Sequence, residues 1–136
     1  MREPALIRML PDGRRLHLRD GPIDLIIEAN GDPQAILAAY EAAARRFVSI
    51  LDELCGELPL LRTRVLRNSE RPRGAVAQRM FAAVEPYSED CFITPMAAVA
   101  GSVAVAAAGP LTAGVAAAVA GPLVAAEDTP AVTRRS

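Results

Sequence analysis

The chain has 136 residues, a formal net charge of −1 and 51% hydrophobic residues. That is enough chain for one domain with a core of its own. The near-neutral balance gives no basic field of the kind that nucleic-acid binding uses, so nucleic acid is excluded as a partner expected from bulk charge.

The first 28 residues read as an antiparallel meander. Leu6 to Leu10 is apolar with one charge, and Pro11-Asp12-Gly13 is a turn signal. Arg15, His17 and Arg19 then alternate with Leu16 and Leu18, the period of a strand. Asp20-Gly21-Pro22 is a second turn. In the strand Ile23 to Glu28, one face carries Ile23, Leu25 and Ile27, and the other Asp24, Ile26 and Glu28. A sheet with one covered face follows.

Asn30-Gly31 leads into a long helix, with Asp32 as N-cap and Pro33 at the first helical position, where a missing N–H costs nothing. Ile36, Leu37, Tyr40, Ala44, Phe47, Ile50, Leu51 and Leu54 form its apolar stripe. Gly56 and Pro59 are read as its end. Residues 62 to 73 form a basic loop containing Arg62, Arg64, Arg67, Arg71 and Arg73. A second helix is expected over Ala75 to Val84, stopped by Pro86. A third starts after Phe92-Ile93, with Thr94 as N-cap and Pro95 as its first residue.

Cys55 and Cys91 are far apart and in no metal-ligand spacing, which suits two reduced thiols of a cytoplasmic protein. Met1-Arg2-Glu3-Pro4 has no apolar stretch behind its charge, so no secretory leader is expected. All fifteen Lys and Arg residues are arginine, and alanine and arginine codons are mostly rich in G and C. After Ala104 the composition shifts to Ala, Gly, Pro and Val, the products expected of an off-frame reading in such a gene.

Four stretches resemble an uncharacterised family related to the ApbE flavin transferases. They are residues 12–18 (DGRRLHL), 21–28 (GPIDLIIE), 57–62 (ELPLLR) and 92–104 (FITPMAAVAGSVA), in the family's order. The resemblance implies an ApbE-like α+β fold whose N-terminal part is residues 1–104. It also implies that a C-terminal half, with an Asn-Gly-Gly-Asp type turn, is missing or frameshifted. Residues 105–136 are then expected to be a non-native or disordered tail. For the intact member the resemblance implies a flavin or nucleotide ligand, with FAD or FMN and a divalent metal as the cofactors of true flavin transferases. This chain is expected to be non-catalytic, and no catalytic or metal residue is assigned to it.

The cofactor-site candidates are Thr94, Pro95, Met96 and Gly101, because exposed N–H groups at a helix start can hold an anion. Arg62 and Arg64 join them, because guanidinium forks match phosphate oxygens; the alternative is a solvated basic loop. His17, the one histidine, shares a strand face with Arg15 and Arg19, which is either a ligand-facing or a solvated surface. Asp24 and Glu28 lie about 13 Å apart along a strand, too far to share a proton. A second reading is a small membrane-associated or interaction protein using residues 96–126, an uncharged run longer than the roughly 20 residues that span a bilayer. Its alanine content and its two prolines, Pro110 and Pro122, oppose insertion.

Overall fold

The computed structural model describes residues 3–109 and, as backbone only, residues 116–120. The fold is α+β, in two layers. Three strands run as an antiparallel meander: β1 (Leu6–Met9), β2 (Arg15–Asp20) and β3 (Ile23–Asn30). The registers Arg8↔His17 and Leu18↔Leu25 put Arg8, Arg15, His17, Arg19, Asp24 and Glu28 on one face. Leu16, Leu18, Ile23, Leu25, Ile27 and Ala29 lie on the other, and all six are buried. The alternation in the sequence is therefore the alternation of burial.

Two turns set these registers. At the first, Asp12 Oδ1 accepts from the backbone N–H groups of Arg14 (2.9 Å) and Arg15 (3.1 Å), and Gly13 takes a positive φ of 69°. The second is a two-residue loop, Gly21-Pro22. Gly21 has φ 55°, as the first central residue of a II′ hairpin requires.

Helices cover the apolar face. Helix α1 (Pro33–Phe47) starts as its sequence suggests: Asp32 Oδ2 accepts from Gln34 N (3.1 Å) and Ala35 N (3.3 Å), with Pro33 in the first turn. The single helix expected through Leu54 is in fact two. Val48 and Ser49 interrupt it before α2 (Ile50–Gly56). The Ser49 hydroxyl turns back to the Arg46 carbonyl (3.4 Å), competing with the ladder, while Arg46 forks across the break to Glu53 at 3.1 and 3.0 Å. The stripe keeps its phase, so Phe47, Ile50, Leu51 and Leu54 remain buried. Leu37 is the exception, at 61% exposed. Pro59 does not simply stop the chain but sits in the first turn of a short helix, α3 (Leu58–Leu61).

Helix α4 (Ala75–Val84) buries Val76, Ala77, Met80, Phe81 and Val84. Pro86 then lies in a 3₁₀ turn, Glu85–Tyr87. A second 3₁₀ turn, Pro95–Ala98, precedes α5 (Val99–Ala108). Helix α5 runs without a break across Ala104, and strand β4 (Ala116–Ala120) pairs antiparallel with β3, Asn30 opposite Ala116 and Ile26 opposite Ala120. Structured backbone thus occupies residues 105–108 and 116–120 of the segment expected to be a tail. Residues 110–115 and 121–136 lie outside the described residues. Among those described, no helix is long and apolar enough to cross a membrane, and the membrane reading of residues 96–126 gains no support.

Candidate functional site: the loop cleft at Arg64 and the cleft above Tyr40

The first half of the basic loop is fastened at two points. The Thr63 hydroxyl donates to Pro59 O at 2.7 Å, and Leu66 N donates to Ser69 Oγ at 2.7 Å. Between them Val65 is buried with Phe81 and Val84, and its N–H donates to Ile93 O at 2.9 Å. This last bond draws the loop against the start of the Pro95 turn. A cleft of about 300 Å³ results, lined by Thr63, Arg64, Asn68, Ser69 and Glu70, with buried Pro95 at one wall. Arg64 and Pro95, read from the sequence as separate candidates, therefore meet in one place. Thr94, Met96, Gly101 and Arg62 are not among its walls.

The charges of the loop divide into two groups. Arg67 pairs with Glu89 at 2.9 Å and Arg71 with Glu85 at 2.7 Å, and Arg71 also stacks on Phe81, 4.9 Å from the ring centroid. Arg62 and Arg64 have no carboxylate partner among the described residues. The Arg64 guanidinium lies 5.5 Å from the centroid of the Phe92 ring, a cation–π contact that leaves its N–H fork available.

The start of the third helix is built differently from the expected anion cradle. The Thr94 side chain caps nothing. The N–H groups of Ala97 and Val99 are already bonded to Thr94 O and Met96 O within the 3₁₀ turn. Pro95 is fully buried and Met96 packs against the main core, which are structural duties. Gly101 is exposed and has nothing within 4 Å of where a Cβ would stand, so no close approach there demands glycine.

His17 Nε2 meets Asp24 Oδ1 on the open face of the sheet, both side chains half-buried. Sequence reading had not joined these two. The register shows why they meet: Asp24 faces Arg19 directly and His17 diagonally, a reach that long side chains make. Among the described residues no group of three or more His, Cys, Asp or Glu side chains could hold a metal ion. Cys55 and Cys91 are free thiols.

A larger cleft, about 530 Å³, lies where the β1–β2 turn, the end of β3 and the start of α1 meet. Its walls include Met9, Arg14, Glu28, Asn30, Pro33 and Leu37. Tyr40 supports its floor: the hydroxyl accepts from Ala29 N at 2.9 Å and donates to Arg14 O at 2.5 Å. No motif marks this cleft. Its one sequence signal is an apolar stripe on α1 wider than the face that becomes buried.

The layered sheet-and-helix fold and its loop cleft define an α+β protein with an arginine on the wall of a small cavity. The chain belongs to the family described as AbpE bacteria, whose model matches residues 7–114. No curated protein and no solved structure matches it.

Proposed function

We propose that this chain is a non-catalytic, ApbE-like binding protein for a flavin or nucleotide, held through its phosphate by Arg64. The observation that supports this is the division of charge in the basic loop. Arg67 and Arg71 are neutralised by ion pairs, whereas Arg64 lines a cleft with no carboxylate partner among the described residues. Thr63, Asn68 and Ser69 add polar atoms around it, and Glu70 a carboxylate that the guanidinium must outweigh for a phosphate to be held. A guanidinium in such a place offers two parallel N–H groups to a phosphate. The cleft is at the lower end of ligand-pocket volumes, so it suits a phosphate and its adjoining sugar rather than a whole dinucleotide. Arg62, exposed two residues before it, adds to the local positive field.

Titration of the full chain with flavin mononucleotide, followed by flavin fluorescence, tests this reading. Saturable binding is expected, and Arg64→Ala should weaken it about tenfold, the scale of one lost charge-assisted hydrogen bond. Riboflavin, which lacks the phosphate, should bind as weakly to wild type as the mononucleotide does to the variant. Equal binding of the two flavins, or an Arg64→Ala variant with unchanged affinity, would refute it.

A further inference from the structure

Arg64 accounts for the phosphate end of a ligand and leaves the ring end unplaced. We propose that the ring stacks on Phe92. The ligand is then a phosphomonoester joined through a sugar or ribityl chain to a planar aromatic ring. This rests on the phosphate reading of Arg64 and adds a second contact to it. Three observations carry it.

The first is size. The cleft at Arg64 holds about 300 Å³. A phosphate and its sugar take that space, so an isoalloxazine or a purine lies beyond the rim.

The second is an open ring beside that rim. Phe92 is 70% exposed, more than any other large apolar side chain among the described residues. A lone exposed apolar side chain needs no explanation, but this one lies against the cation that lines the cleft. The Arg64 guanidinium is 5.5 Å from the centroid of the Phe92 ring. It covers only part of the ring, as the exposure shows, and leaves aromatic surface open to solvent. Such surface takes any planar base or flavin by stacking.

The third is a prepared geometry. Val65 N donates to Ile93 O at 2.9 Å, and both side chains pack with Phe81 and Val84. Arg64 and Phe92 each stand one residue before a member of this bonded pair, and both are exposed. A single backbone bond thus sets cation and ring side by side before any ligand arrives. Pre-organisation of this kind lowers the ordering cost of binding.

The test is backbone-amide NMR on the full chain, with Thr63 and Ser69 as reporters in the cleft wall. The ligands are flavin mononucleotide, adenosine monophosphate and ribose 5-phosphate, which has the phosphate and no ring. Each ringed ligand should bind about tenfold more tightly than ribose 5-phosphate. The larger gain of the two tells a flavin from a purine site. Phe92→Ala should abolish the gain and leave ribose 5-phosphate unchanged, and Phe92→Tyr should keep it. Loss of affinity for all three ligands alike in Phe92→Ala would mean that Phe92 only positions the loop, and overturns the proposal. If that variant unfolds, nuclear Overhauser effects between the Phe92 ring and the ligand ring on wild type decide the matter, and their absence overturns it. Saturable binding of ribose 5-phosphate with no gain from either ring, or a gain that survives Phe92→Ala, overturns the ring contact and leaves the phosphate reading of Arg64 standing. No saturable shift with any of the three overturns both.

Discussion

The two faces of the β1–β2–β3 meander are made by the same eighteen strand residues and obey different physics. On the covered face Leu18, Leu25 and Ile27 are fully buried against α1 and its neighbours, and nothing polar interrupts them over those positions. On the open face Arg8 and Arg19 are exposed, while His17 and Asp24 shield one another. Burial on the first face is a matter of area and volume. On the second it is a matter of pairing, since a half-buried charge is tolerated only beside a partner. The difference teaches where sensitivity to mutation should lie: a step of one residue along a strand should change the cost of truncation several-fold.

That contrast is sharpest at two neighbouring β2–β3 positions. Leu25→Ala removes a side chain with no solvent exposure and leaves a cavity, and it should cost about 2–5 kcal/mol. Arg19→Ala, on the opposite face, removes an exposed side chain and should fall within about 0.5 kcal/mol of wild type. Urea denaturation of both variants measures the gap. Similar losses for the two would show that the open face is covered by something else in solution.

A smaller effect is expected where the faces are hinged. Gly21 has φ 55°, and a Cβ there would stand 3.0 Å from the Leu51 Cδ2 on α2. Gly21→Ala should therefore cost about 1–2 kcal/mol for the left-handed backbone, with a further cost if buried Leu51 is displaced. Thermal melts of the variant test this, and pairing it with Leu51→Ala separates the terms. If the contact matters, the double variant loses less than the sum of the two single changes.

Much of this architecture was legible because it depends on local rules. Leu16 to Arg19 and Ile23 to Glu28 alternate at period two, and the Gly-Pro loop between them permits only a tight hairpin. Asp32-Pro33 announces α1 through an acceptor and a fixed φ, and both act as expected. The break at Val48-Ser49 escaped, because an interruption of two residues leaves the apolar stripe in phase. Strand β4 escaped for a different reason. Ala116–Ala120 is alanine and valine throughout, with no polar alternation, and such a run reads as helix or strand equally well. The sites divide in the same way. Arg64 could be nominated from its loop alone, but its meeting with Pro95 depends on the long-range bond from Val65 to Ile93. The cleft above Tyr40 draws on β1, the first turn, β3 and α1, and no window of sequence contains all of them.

The smallest effect expected is at the turn that joins β1 to β2, where pH can be used as the probe. Asp12 accepts backbone N–H bonds from Arg14 and Arg15 and a side-chain bond from the Arg15 guanidinium, and these hold its pKa at about 2, below the ordinary 3.8. The hydrogen bond from the Arg14 backbone N–H is the leading cause. Because the folded-state pKa is depressed, the unfolded chain binds more protons between the two values, and stability rises with pH there. The contribution is complete above about pH 4 and is lost as pH falls through about 2. Asp12 sits in an exposed turn, so the amplitude should be modest. Asp12→Asn keeps an acceptor oxygen but cannot titrate. Its stability should fall less than that of wild type between pH 4 and pH 2, measured by urea midpoints at each pH. Parallel curves for the two proteins across that window would mean that Asp12 titrates alike in the folded and unfolded chains, and that the turn is held by Gly13 and its backbone bond to Leu10 rather than by the carboxylate.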